Sequence, residues 1–252
     1  MPPILEIRNL SKTFANGSDG IPALRCVDFS VNPQEIVSIL GPSGCGKTTL
    51  LECITGLCLP NEGSVYIKGE QATGRTGMSG YMTQSDVMLP WYSVLDNVSL
   101  PLVLNSTPQA RAREEALNVL RHFGLEVFSS AHPASLSGGM RQRAALARTY
   151  LTKQELLVLD EPFGRLDALT RSEMQTWFLR IWEQEKKTVL MVTHDIDEAL
   201  LLSDRVLVFT PRPGAIVEEI MVTLPRPRPL ITTTLPAFGS LKEKALKALH
   251  IN

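Results

Sequence analysis

An α/β fold follows from two kinds of apolar run and from one long stretch that holds neither. Ile36-Val37-Ser38-Ile39-Leu40, Leu156-Leu157-Val158-Leu159, Val189-Leu190-Met191-Val192 and Val206-Leu207-Val208-Phe209 are almost unbroken apolar segments, the pattern of central strands covered on both faces. The runs at 5–8, 23–31 and 64–67 alternate apolar and polar residues, as antiparallel strands with one solvated face do. Residues 84–153 show helical spacing and no convincing strand, which predicts a helical insert between two halves of the core.

The connecting elements follow in order. A helix opens at Lys47. A second spans 110–123, with Ala116, Leu117, Leu120 and Phe123 at helical spacing and Gly124 as its stop. A third starts near Arg141. A fourth spans 170–185 and carries Met174, Trp177, Phe178, Ile181 and Trp182 on one face, the stripe of a helix packed on a sheet. Ser203 and Asp204 break the chain before the strand at 206–209. The prolines of Pro211-Arg212-Pro213-Gly214 and Pro225-Arg226-Pro227-Arg228-Pro229 predict extended segments on an edge or surface, and a last helix covers 241–249. The whole reads as one domain over 1–252, with a C-terminal extension at 211–252.

Composition narrows the function classes. With 44% hydrophobic and 20% charged residues, a sizeable core is expected. A net charge of −1 argues against a broad nucleic-acid footprint, so no nucleic-acid partner is predicted. No apolar run is long enough to span a membrane, and the first residues show no basic segment followed by an apolar one, so no secretory signal is expected. Cys26, Cys45, Cys53 and Cys58 match neither zinc pairs nor a disulfide framework and read as reduced thiols. Cys45 is either reactive or simply small enough for its loop.

The chemistry begins at Gly41-Pro42-Ser43-Gly44-Cys45-Gly46-Lys47-Thr48-Thr49, which satisfies G-x-x-x-x-G-K-[ST] between a buried strand and a helix. Glycines let successive N–H groups converge on phosphate oxygens, helped by the helix N-terminus. Lys47 is expected to reach the β- and γ-phosphates and Thr48 to ligate Mg²⁺. The fold class is therefore a P-loop NTPase core with an antiparallel β subdomain and a helical insert. The strand at 156–159 runs into Asp160, suited to hold the metal, and Glu161, placed to orient or deprotonate the attacking water. His194 ends the strand at 189–192; it is either structural or a γ-phosphate contact that steadies Glu161. Leu136-Ser137-Gly138-Gly139-Met140 starts a helix with Ser137 as N-cap, and on its own would be only a capped helix.

Together these residues resemble the ATP-binding subunit of ABC transporters: phosphate loop, Gln84, Leu-Ser-Gly-Gly, the Asp160-Glu161 strand end, Asp167 and His194 occur in that family's order. The resemblance spans most of the chain. It implies a head-to-tail pair of chains, in which Ser137, Gly138 and Gly139 of one face the ATP held by the phosphate loop of the other. It implies nucleotide contact at Gly41, Ser43, Gly44, Cys45, Gly46, Lys47, Thr48, Thr49 and Asp167, and an adenine stack on Phe14, for which a core role is the alternative. Gln84, Thr48 and Asp160 would serve the Mg²⁺. Two residues depart from the pattern: Met140 stands where Gln is frequent, and Arg165 where a small residue is usual.

The resemblance further implies a second ATP-binding subunit, separate transmembrane permease subunits and a solute-binding protein, with the chain peripheral on the cytoplasmic face of the plasma (inner) membrane. Leu136 to Arg143, Pro211 to Gly214 and Leu224 to Arg228 look like the nitrate/sulfonate/taurine class of importers. Rival classes are an ATPase subunit for export or lipoprotein extraction and a soluble ABC-type ATPase, which tends to carry coiled coils or tandem nucleotide domains. Val87-Met88-Leu89-Pro90-Trp91 is more apolar than a surface loop requires. It either docks a helix of the permease or packs on its own core.

Overall fold

A computed structural model describes residues 2–15 and 20–250, so both limits of the domain predicted over 1–252 lie outside the described residues. Its strands are β1 (Leu5–Phe14), β2 (Ile21–Val31), β3 (Ile36–Leu40), β4 (Glu62–Ile67), β5 (Glu70–Gln71), β6 (Gly80–Met82), β7 (Leu156–Asp160), β8 (Thr188–Thr193), β9 (Arg205–Phe209) and β10 (Ile216–Met221). Its helices are α1 (Lys47–Ile54), α2 (Val94–Leu104), α3 (Gln109–His122), α4 (Gly138–Tyr150), α5 (Ala168–Glu185), α6 (Ile196–Leu202) and α7 (Pro236–Ala248).

Two sheets result. The larger has the order β10-β9-β3-β8-β7-β6; β9, β3, β8, β7 and β6 run parallel, and β10 pairs antiparallel with β9. The smaller, β2-β1-β4-β5, is antiparallel throughout. Consecutive residues of a strand leave on opposite faces, so unbroken apolar runs mean two buried faces. Val37, Ile39, Leu156, Val158, Leu190 and Val192 pack with Leu50, Leu51 and Ile54 of α1 and with Leu5, Ile7 and Val65 of the small sheet. Leu157, Leu159, Val189 and Met191 pack on the other face with Val98, Leu120, Ala144, Phe178 and Trp182 from α2–α5. Each such side chain contributes about 1.5–3 kcal/mol by leaving water. Within β1 the alternation holds from Leu5 to Ile7 and then breaks: Asn9 adopts φ 46° at a register shift, and its N–H donates to Asp28 Oδ1 at 2.8 Å.

β5 and α6 were not among the elements read from the pattern, and neither were β6, α2 and β10. β6 has only three residues, Gly-Tyr-Met, too few to show a period, yet it pairs with Leu157–Leu159. α2 contains Pro101, which normally reads as a break; Ser93 caps it through the Asp96 N–H, and the fully buried Asn97 donates to the carbonyls of Leu89, Tyr92 and Ser93. β10 lies inside the proline-rich region and forms an edge of the main sheet.

The second proline run also departs from expectation. Arg226 pairs with Asp204 at 2.9 Å and stacks over Trp182. Arg228, 4% exposed, donates to the carbonyls of Ser203, Leu224 and Val222. Carbonyls at the end of α6 and along 222–224 need donors in a dry setting, and a guanidinium supplies several at once.

Glu198 of α6 is 5% exposed and accepts from Gln175 Nε2 of α5 at 3.0 Å. Burial pushes its carboxyl up from 4.5 to about 7, against the lowering effect of the Thr193 hydroxyl, with the nearby Asp195 adding to the rise. An acid raised on folding contributes stability that is complete below its unfolded pKa and is lost as pH rises through the folded one. Urea unfolding of wild type and Glu198→Gln, which has no proton to lose, should therefore diverge in the variant's favour between pH 4.5 and about 7, by roughly 1–3 kcal/mol. A difference that stays constant across that window would refute a titrating Glu198.

Candidate functional site

Parallel strands release their loops at one edge, and here the order of the sheet places four such loops side by side. The phosphate loop leaves β3, His194 follows β8, Asp160 ends β7 and is followed by Glu161, and Gln84 lies just beyond β6. Gly46 must be glycine: it sits at φ 109°, and a Cβ there would lie 2.5 Å from the Ala23 carbonyl oxygen. α1 starts directly after it.

An open cleft of about 290 Å³ is lined by Ser43, Gly44, Gly46, Lys47, Thr48, Thr49, Gln84 and Glu161, together with Ala23 and Arg212. Lys47 is 5% exposed; its Nζ donates to the Gly41 and Pro42 carbonyls at 2.7 and 2.8 Å. Among the described residues no carboxylate forms an ion pair with it. A buried cation held by two carbonyls and the Cys45 sulfur, all neutral, suits an anionic ligand. Gly41 and Cys45 lie behind the cleft lining. Burial pushes the Cys45 thiol up, so the residue fills space as a neutral thiol.

Thr48 Oγ1 donates to Asp160 Oδ2 at 2.9 Å. Burial raises the Asp160 carboxyl, the Thr48 hydrogen bond opposes this, and the neighbouring Glu161 carboxylate adds to the rise. Among the described residues no cluster of three His, Cys, Asp or Glu could hold a metal unaided. One hydroxyl beside one carboxylate nevertheless fits a small hard cation such as Mg²⁺, which takes its remaining ligands from phosphate and water.

Glu161 turns sharply out of β7 at φ 48°. Its N–H donates to Val192 O at 3.0 Å, and its carbonyl accepts from Gly164 N–H and Gln142 Nε2. Such a conformation costs a non-glycine residue of order 1–3 kcal/mol and persists only where its surroundings hold it. Here it accompanies a carboxylate engaged on both oxygens: Gln84 Nε2 donates to Oε2 at 3.2 Å, and His194 Nδ1 lies 3.2 Å from Oε1.

The remaining predicted residues do not line this cleft. Ser137 caps α4 by accepting the Met140 N–H at 3.2 Å, with Ser137 and Gly138 exposed and Gly139 partly so. Met140 packs against the core. Asp167 caps α5 through Thr170, whose hydroxyl holds the Asp167 carboxyl below its usual range. Arg165 is exposed beside it. Phe14 is 39% exposed beneath the Lys12 ammonium, which does not fit the core alternative. The apolar run at 87–91 divides between its two readings: Met88 is 8% exposed, whereas Trp91 is 68% exposed. Arg148 holds the Asp86 and Val87 carbonyls, and Arg141 pairs with Asp86, tying the segment after Gln84 to α4. Ala23 and Arg212 are the cleft residues without a motif; the signal for Arg212 was the Pro-Arg-Pro-Gly run.

The family model described as ABC transporter matches residues 24–164. The formylaminopyrimidine import ATP-binding protein ThiZ of Halalkalibacterium halodurans is 43% identical, over 98% of this chain and 96% of that protein. The aliphatic sulfonates import ATP-binding protein SsuB of Bacillus cereus is 38% identical, over 96% and 94% respectively. Among solved structures, a dimeric ATP-binding cassette in a post-hydrolysis state bound to ADP and Pi is 31% identical, with a TM-score of 0.79 over 87% of this chain and 99% of that one.

Proposed function

The chain belongs to the ABC transporter family as an ATP-hydrolysing subunit, and from that premise we propose that it powers uptake of a small solute through a separate permease. The observation that carries this reading is a divided site. Phosphate loop, Asp160, Glu161, Gln84 and His194 gather at one cleft, while the Ser137 helix start and Asp167 stand outside it on the same chain. A second copy, docked head to tail, brings the N–H groups at Ser137–Gly139 onto a nucleotide gripped by Lys47.

In this reading Lys47 and the loop amides bind the β- and γ-phosphates of ATP, and Thr48 and Asp160 would hold Mg²⁺, with Gln84 nearby through its bond to Glu161. The metal supplies charge neutralisation between phosphates. Glu161, clamped between Gln84 and His194, orients the attacking water and accepts its proton. Phe14 stacks on the base. The solute is of the nitrate/sulfonate/taurine type; its support is the aliphatic sulfonates importer among the relatives, while the formylaminopyrimidine importer supports uptake of a small solute without that choice. A solute-binding protein delivers it, and the ATPase subunit sits peripherally on the cytoplasmic face of the membrane. No helix among the described residues is long and apolar enough to cross a membrane.

The helical insert at 84–153 contacts the permease. Val87, Trp91, Tyr92, Val103 and Leu104 expose apolar surface on the insert. Val87, a β-branched residue, sits at φ 42° with its carbonyl held by Arg148. A short permease helix seated there would move the Gln84 segment through the Arg141–Asp86 pair.

Three measurements test the proposal. Glu161→Gln should keep ATP binding and slow turnover by about 10²–10⁴-fold; near-normal hydrolysis would remove Glu161 from the reaction. Ser137→Arg should abolish hydrolysis while the single chain still binds nucleotide. Retained hydrolysis would mean a site complete within one chain. Trp91→Glu should weaken association with permease-containing membranes by about tenfold, leaving ATP affinity intact; unchanged association would argue against docking at this patch.

A further inference from the structure

Arg212 lines the nucleotide cleft, yet no step above uses it. It lies just past β9, which neighbours β3 on the side away from β8, β7 and β6. It thus completes the row of loops released from adjacent parallel strands, at the end opposite Gln84, Glu161 and His194.

The turn that presents it is built for that position. Thr210 and Ala215 close it with N–H···O and Oγ1 hydrogen bonds of 2.9 and 3.0 Å, and the Thr210 hydroxyl also donates to Pro213 O at 2.9 Å. Gly214 fastens it to the phosphate loop's surroundings. Its N–H donates to Ala23 O at 2.9 Å, its carbonyl accepts Arg25 N–H at 3.0 Å, and a Cβ on it would lie 2.4 Å from the Cys45 carbonyl. Only glycine fits there. The Arg212 Nε–H donates to Pro22 O at 3.1 Å, which orients the guanidinium plane. No carboxylate among the described residues forms an ion pair with it.

We propose that Arg212 is a nucleotide-binding residue that contacts the phosphate nearest the nucleoside. The inference rests on the ATP reading of the cleft and adds a second cation to Lys47. The two cations divide the work by position. Lys47 belongs to the loop beneath the terminal phosphates, whereas Arg212 stands across β3 from the hydrolytic carboxylate. It therefore addresses the part of the ligand that ADP keeps, and it serves binding rather than the chemical step. A fixed, planar guanidinium is well suited to phosphate oxygens.

The test compares ATP and ADP binding by wild type, Arg212→Ala, Arg212→Lys and Arg212→Gln, with thermal unfolding as the control for folding. The alanine variant should bind both nucleotides about tenfold more weakly, near 1.4 kcal/mol, with the loss in hydrolysis falling on KM rather than kcat. Lysine should recover part of the affinity and glutamine none, because the contact is to charge. Unchanged affinity in Arg212→Ala would overturn the proposal, as would a loss confined to ATP or a full recovery by glutamine. If wild type itself binds neither nucleotide, the ATP reading falls first and this inference with it.

Discussion

Five parallel strands buried on both faces leave a polypeptide few places to put polar chemistry. Their backbone groups are consumed by the ladder, and their side chains enter one apolar layer or the other. Only where the strands end do loops, helix starts and charges become available. Everything chemical in the cleft sits at that edge, and the strand order decides which loops are neighbours. Had β8 not paired with β3 on one side and β7 on the other, Thr48 and Asp160 would not meet, nor would Glu161 and His194.

The edge is also where the molecule concentrates its unfavourable features. Among the described residues Lys47 has no ion-pair partner although it is buried, Asp160 is a desolvated carboxylate beside another carboxylate, and Glu161 holds a backbone angle that a non-glycine residue resists. Each would be relieved elsewhere by solvent or by a different rotamer. Here hydrogen bonds hold all three: Lys47 by the carbonyls of its own loop, Asp160 by Thr48 on α1, and Glu161 by Gln142 on α4 and Val192 on β8. A site arranged this way holds its groups in place before any ligand arrives, which is what electrostatic preorganisation requires.

The surface outside the cleft follows from the same economy. The exposed helix start at Ser137 and the capped start at Asp167 satisfy part of their own backbone and leave further N–H groups facing outward. The Arg141–Asp86 and Arg148–Val87 contacts link the first of these helices to the segment after Gln84. The helix start and the segment after Gln84 are thus joined by one ion pair and by arginine hydrogen bonds to carbonyls, over a shared core that includes Met88, Leu136 and Ala144.

The division between sequence and structure is physical. Periodicity revealed the central strands, because burial on two faces forces unbroken apolar runs, and a phosphate loop between strand and helix is legible because few backbones can make that turn. Short or atypical elements were not legible. β6 is three residues long, α2 contains a proline, and β10 and the buried Arg228 lie within proline-rich segments whose local chemistry resembles surface loops. The local sequence determined which residues were able to do chemistry. Which of them share a cleft, and that Arg212 joins them while Ser137 and Asp167 do not, was decided by strand order and by tertiary bonds such as Gly214 to Ala23, since neighbourhood across a sheet depends on pairings between segments far apart in the chain.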